Sequence, residues 1–321
     1  AVAGGLAAGA GPAFALGAFP AVPGADGPGA ALPFVAATAI VLAVGLLDDA
    51  RGCSVGLKLG VETIASLLIV GAGHAVEVVS TPVGPVTLGK VAGSIVTVVW
   101  LVGITNAVNL MDGLDGLVGG VTSIIAGSLA VFAWLQGDPA ALAVALILCG
   151  TCLGFLPWNW RPARIFLGDG GALTIGFVLA WLALIASLKA ATAVTIMVPL
   201  LVLGVPAIDT LLVMAARYLE SPARGFLFRV RGMVRADRRH LQHRILAVAD
   251  QRTVVLVVYG LVCAFCLLSL LAVVRNSFLL AVVTLLVQIA VVALVRNLRG
   301  KRTGEEDAGA RRADAALSFR R

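Results

Sequence analysis

The chain reads as an all-α polytopic membrane protein of about ten transmembrane helices, with a small β-hairpin near residues 76–88. Three observations predict this. Hydrophobic residues make up 60% of the chain, charged residues only 13%, and mean hydropathy is +1.03. A soluble domain of 321 residues has too much surface to leave so little of it charged. The charges are also gathered into a few short stretches, separated by apolar runs of about 17–25 residues, the length a helix needs to cross a bilayer.

The expected spans are 1–20, 30–47, 56–73, 91–106, 117–136, 140–157, 172–188, 193–216, 253–274 and 277–295. The first is weak, being rich in Gly and Ala. The chain starts Ala1-Val2-Ala3-Gly4-Gly5 without an initiator Met, so a preceding segment is expected to be missing. Between the third and fourth spans, Val76, Val78, Val86 and Leu88 alternate around a Pro/Gly turn, the pattern of a hairpin. Residues 1–297 are expected to form one multi-helix domain, and 298–321 a charged, disordered cytoplasmic tail.

Charge sets the orientation. If one side holds 48–60, 106–117, 157–171, 217–252 and the tail from 296, it carries 21 of the 24 Lys and Arg; Lys90, Lys189 and Arg275 fall opposite. The positive-inside rule places the first group in the cytoplasm of a multi-pass plasma-membrane protein. The net charge of +7 is then explained by these loops and their attraction to anionic membrane lipid, not by nucleic acid. Of the five cysteines, Cys149, Cys152, Cys263 and Cys266 lie inside apolar runs, where Cys acts as a small hydrophobe rather than a metal ligand.

The polar motifs that could carry chemistry all fall on the basic side. Asn106-Ala-Val-Asn109-Leu-Met-Asp112-Gly-Leu-Asp115 places two amides and two carboxylates at steps of three, which a helix would bring near one face. Asp48-Asp49 ends one run and Lys58 follows. Gly168-Asp169-Gly170-Gly171 opens another, so helix-start amides there could receive an anion. Asn159, Arg164, Asp237, His240, His243 and Arg244 lie in the neighbouring loops. Oxygen-rich sets with few His and no Cys suit Mg²⁺, which binds through few carboxylates plus substrate phosphates. With Arg, Lys and Gly beside them, these residues point to phosphoryl transfer at the cytoplasmic membrane face. A transporter would place its polar groups at mid-span, and no inverted repeat is visible.

These motifs together resemble the polyprenyl-phosphate N-acetylhexosamine-1-phosphate transferases, often called glycosyltransferase family 4. The matching text is Gly-Leu-Leu-Asp-Asp-Ala-Arg-Gly (45–52) with Lys58, then 106–117, 157–171, Pro206-Ala-Ile-Asp-Thr210 and Asp237-Arg-Arg-His-Leu-Gln-His-Arg244. The resemblance implies transfer of a sugar 1-phosphate from a UDP-sugar to a polyprenyl phosphate, with Mg²⁺ or Mn²⁺ and release of UMP. It implies Asp169 as metal ligand, with Asp49 and Asp112 as further candidates. Asp48, Asp49, Asp112, Asp115, His240 and His243 would be catalytic. Lys58, Asn106, Asn109, Asn159, Arg164, Gly170, Asp237 and Arg244 would bind substrate. It also implies about eleven spans, the first absent here, and allows a homodimer in the membrane. The basic-loop text is similar to the UDP-N-acetylglucosamine branch, which starts lipopolysaccharide, teichoic-acid or arabinogalactan linker synthesis; the peptidoglycan branch is the alternative. Gln242 stands where the family usually has a middle His, and Gly-Asp-Gly-Gly-Ala where it has Gly-Asp-Ser-Gly-Ser.

Overall fold

The structure, a computed structural model, describes residues 31–81, 84–188, 194, 197–220, 241–246 and 249–296. The expected first span, the charged tail, Asp237 and His240 lie outside these residues. The described chain is a polytopic membrane protein of packed helices. Among the described residues, seven helices are long and apolar enough to cross a membrane.

The helices are α1 (Leu32–Arg51), α2 (Val55–Gly71), α3 (Gly89–Met111), α4 (Leu117–Leu135), α5 (Pro139–Asn159) and α6 (Gly168–Leu188). They continue as α7 (Val198–Val202), α8 (Gly204–Glu220), α9 (Leu241–Leu246), α10 (Gln251–Val274) and α11 (Phe278–Arg296). Their ends follow local chemistry. Pro33 and Pro139 stand in first turns, where the missing N–H costs nothing. Ser54 caps α2 by accepting from Leu57 N at 3.2 Å, and Asp138 caps α5 by accepting from Ala141 N at 3.1 Å. Gly52, at φ 71°, ends α1.

Two expectations need correction. The span expected at 193–216 is not one helix: α7 ends at Val202, Leu203 is a non-helical link, and α8 starts at Gly204. Pro199 and Pro206 remove backbone donors on either side of the break. Gln288 of α11 supports it, donating from Nε2 to Leu201 O at 2.7 Å. A Cβ on Gly204 would overlap the Gln288 amide, so glycine there leaves room for this contact. Second, α3 stops at Met111, so Asp112 and Asp115 do not continue the helical face of Asn106 and Asn109. The glycines at 113 and 116 favour the turn, and Gly116 adopts φ 81°.

The hairpin is present as β1 (Val78–Thr81) and β2 (Gly84–Thr87), antiparallel, with Val79 opposite Val86. It joins the far ends of α2 and α3, away from the end that carries Lys58 and Asp112.

Helix α6 is the centre of the bundle. Every residue from Ala172 to Ala186 is buried, as expected of a helix that is apolar all round. It packs against α1, α3, α4 and α5. Phe34 of α1 stacks on Trp181, with ring centroids 4.0 Å apart. Trp100 of α3 donates from Nε1 to Ala180 O at 3.0 Å. Gly176 allows the α3 backbone in, since a Cβ there would meet Thr105 O at 2.8 Å.

Candidate active site

One end of the bundle gathers the C-termini of α1, α3 and α5 and the N-termini of α2, α4, α6 and α10. Most of the polar residues singled out from the sequence lie there.

The first group joins α1, α2 and α6. The ammonium of Lys58, in the first turn of α2, donates to Asp48 Oδ2 at 2.8 Å and to Asp169 Oδ2 at 2.7 Å. The other Asp48 oxygen accepts a short hydrogen bond from Cys53 N. Asp49 turns to α6 instead: Oδ1 accepts from Asp169 N at 2.8 Å and Oδ2 from Gly170 N at 3.0 Å. The helix-start amides therefore do hold an anion, and it is the chain's own Asp49. Glycines make this approach fit. A Cβ on Gly45 would lie 2.5 Å from Gly170 Cα, and one on Gly168 would lie 2.7 Å from Asp49 Oδ2. Gly170 thus acts through its amide and its lack of a side chain.

The second group holds the turn after α3. Asn159 is buried and both ends of its amide are in use: Oδ1 accepts from Gly116 N and Nδ2 donates to Ile165 O, each at 2.9 Å. This engages the side chain expected to bind substrate in fixing the turn beside Asp115. Tyr259 of α10 makes a short hydrogen bond to Gly116 O, and its ring occupies the space a Cβ on Gly120 would fill. Trp160 covers Gly116 and lies 6.4 Å from the Tyr259 ring. Asp115 Oδ2 accepts from Ala163 N at 3.3 Å. Asp112 is half-buried and makes no side-chain hydrogen bond among the described residues. Its carboxyl is pushed up to about 6, first by burial and then by the charges of Asp169, Asp49 and Asp115.

Between the groups, Asn109 donates from Nδ2 to Asp169 Oδ2 at 3.4 Å. Asn106 points elsewhere, donating to Val102 O at 2.9 Å and, in a short bond, to Glu62 Oε2. Glu62 was not among the expected site residues; its signal was a lone acid within an apolar run, one helical turn after Lys58. Arg164 is exposed, and its side chain makes no hydrogen bond among the described residues.

The basic-loop helix α9 docks on this end. Leu241 N donates to Asp209 Oδ1 at 3.0 Å, and the buried Gln242 donates from Nε2 to Leu110 O at 3.3 Å. Gln242 thus anchors α9 on α3 rather than facing a ligand. His243 and Arg244 lie on α9, with side chains outside the described set. A shallow cleft next to Asp115 is lined by Trp160, Arg161, Gln251, Arg252 and Val255.

Among the described residues no three His, Cys, Asp or Glu side chains converge to cage a metal. The donors present are carboxylate and amide oxygens. That set fits Mg²⁺, which takes one or two protein carboxylates and keeps waters or substrate phosphates as its other ligands.

Residues 31–187 match a family model described as "Glycosyl transferase family 4". This region belongs to that family. The family region runs from α1 almost to the end of α6, and so holds every described carboxylate of the cluster. Among curated proteins, the chain is 35% identical over 223 residues to a "Probable undecaprenyl-phosphate N-acetylglucosaminyl 1-phosphate transferase" of Bacillus subtilis, covering 68% of this chain and 60% of the relative. It is 33% identical over 254 residues to a "Decaprenyl-phosphate N-acetylglucosaminephosphotransferase" of Mycolicibacterium smegmatis, covering 70% of this chain and 59% of that one. A shorter match, 51% over 88 residues and 27% of each chain, is to a "Phospho-N-acetylmuramoyl-pentapeptide-transferase" of Lacticaseibacillus paracasei. The matched region thus spans about three-fifths of the length of the first two relatives.

Proposed function

We propose that the protein transfers N-acetylglucosamine 1-phosphate from UDP-N-acetylglucosamine to a polyprenyl phosphate at the cytoplasmic face of the plasma membrane, releasing UMP. The observation that carries this reading is the convergence of Asp48, Asp49, Lys58, Asn109, Asp112 and Asp169 at one end of an apolar bundle. A lipid phosphate and a water-soluble diphosphate can meet only at such an end. The choice of sugar leans on the longer matches to N-acetylglucosamine 1-phosphate transferases.

A divalent cation, Mg²⁺ or Mn²⁺, held at Asp169 with Asp112 facing it, would supply charge neutralisation for the diphosphate. The chain's own residues do the rest. Asn109 orients the Asp169 carboxylate. Lys58 offers a second positive charge to phosphate oxygens. Asp49 fixes the start of α6 and with it the position of Asp169. A lipid-phosphate oxygen attacks the sugar-bearing phosphorus, the new P–O bond forms as the P–O bond to UMP breaks, and UMP leaves with the electron pair. This direct displacement is favoured over an aspartyl-phosphate route because all four oxygens of Asp48 and Asp49 are already engaged by N–H donors. An anchored carboxylate is a poor nucleophile.

The test is UMP release by purified protein in detergent with polyprenyl phosphate, Mg²⁺ and UDP-N-acetylglucosamine, beside an EDTA control and UDP-N-acetylmuramoyl-pentapeptide. Metal-dependent release with the first donor is expected. Release with only the second would move the chain to the peptidoglycan reaction, and release with neither from folded protein would overturn the reading.

A further inference from the structure

Glu62 has no solvent exposure. Its Oε2 accepts from Asn106, but its Oε1 has no hydrogen-bond partner among the described residues. A buried carboxylate oxygen left unpaired is unfavourable, and such an atom calls for a partner in some state of the protein. Lys58 is the group placed to supply it. It precedes Glu62 by four residues on α2, so the two stand on one helix face, and Lys58 and Asp169 are the charges that act on Glu62. In this structure the Lys58 ammonium is committed to Asp48 and Asp169.

A divalent cation on Asp169 changes that arrangement. Lys58 and Asn109 both sit on Asp169 Oδ2, so a cation taken by that carboxylate would stand close to the ammonium, and their repulsion favours release of Lys58 from Asp169. We propose that Glu62 is a positioning residue that receives Lys58 through its unpaired Oε1 when Asp169 takes the cation. Lys58 keeps Asp48 and exchanges one carboxylate for another, remaining beside the reacting phosphates. Asn106 holds Oε2, which leaves Oε1 as the oxygen that can receive the lysine. This inference rests on the reading of Asp169 as the cation site.

The probe is Mn²⁺ alone, with binding to the purified full chain read from the free-ion electron paramagnetic resonance signal. Lys58→Met should tighten Mn²⁺ binding at least about threefold by removing the competing charge. Glu62→Gln should weaken it about tenfold in the unsubstituted background and less than about twofold in the Lys58→Met background, because its effect passes through the lysine. Equal losses in both backgrounds would mean that Glu62 acts on the cation itself, and would overturn the proposal. So would no loss in either, or weaker binding in Lys58→Met, a result that needs no Glu62 variant to fold. Asp169→Asn separates the two claims. If it abolishes Mn²⁺ binding while the Glu62 and Lys58 outcomes fail, only this inference falls; if it changes nothing, the cation reading falls with it.

Discussion

The two halves of the site are held by opposite means. At the junction of α1, α2 and α6, ionised groups hold one another: one lysine joins two aspartates, and a third aspartate caps the central helix. At the turn between α3 and α4, neutral groups hold the backbone: Asn159 takes the Gly116 N–H, Tyr259 takes its C=O, and the Asp112 carboxyl makes no hydrogen bond among the described residues. The first half responds to charge. The second is a fixed frame that leaves one carboxylate for a ligand. A change in the first should therefore act mainly on chemistry and cation binding, and a change in the second mainly on geometry.

The largest expected effect is at Asp169. Asp169→Asn keeps the shape, and its N–H can still cap onto Asp49, so the thermal midpoint should move by only a few degrees. UMP release should fall by about a thousandfold or more, the scale on which a preorganised electrostatic group contributes to phosphoryl transfer. Near-normal turnover would remove Asp169 from the chemistry and erase the contrast between the halves. Next is Gly45→Ala. Its Cβ would meet Gly170 Cα at 2.5 Å, which is backbone and cannot swing aside. Forced separation of α1 from α6 should cost about 1–3 kcal/mol and loosen the Asp49 cap. The expected result is a lower midpoint together with lost activity, whereas Asp169→Asn loses activity alone.

Much of this was legible in the sequence because apolar run length and charge position are local signals. Nine of the expected spans lie wholly or mostly within the described residues, and eight appear as single helices with ends shifted by a few residues. The ninth, 193–216, failed because the run stays apolar through the break at Leu203, and hydropathy does not see a missing N–H. The clustering of these polar residues was legible, and the contacts each one makes less so. Asp49 and Asn159 look like ligand groups in a motif, yet each spends its polar atoms on backbone. Such use depends on which helix packs alongside, which spacing does not encode. Tyr259 and Glu62 were missed for the same reason: the groups they bond, Gly116 and Asn106, lie far along the chain.

The pH response sharpens the comparison from the other side. The Asp112 carboxyl is raised to about 6, so it is ionised at neutral pH and takes up a proton as pH falls through that value. Folded protein holds this proton more tightly than unfolded chain. Charged Asp112 therefore costs stability above about pH 6, on the order of 2–3 kcal/mol from the size of the shift, and that cost is relieved as pH falls. Cation binding should run the opposite way, weakening by up to about tenfold per pH unit below 6 as the charge is lost. Mn²⁺ titrations between pH 5 and 8 should show this limb, and Asp112→Asn should abolish it. A limb that persists in the variant would place the titrating group in the other half.

The smallest effect is expected at Tyr259→Phe. The ring remains over Gly120 and against Trp160, so packing is kept and only the O–H to Gly116 O is lost. A single hydrogen bond of this kind contributes about 1 kcal/mol net. If all of it were lost from the transition state, kcat would fall about fivefold. The turn should stay in place because Asn159 still holds the Gly116 N–H. A frame built from two independent neutral bonds should tolerate loss of one, so Mn²⁺ affinity should be unchanged. Removing Asn159 as well should cost more than the sum of the single changes, because the second loss frees the turn. If Tyr259→Phe alone lowered Mn²⁺ affinity as strongly as activity, the turn would be part of the charged half rather than its neutral frame.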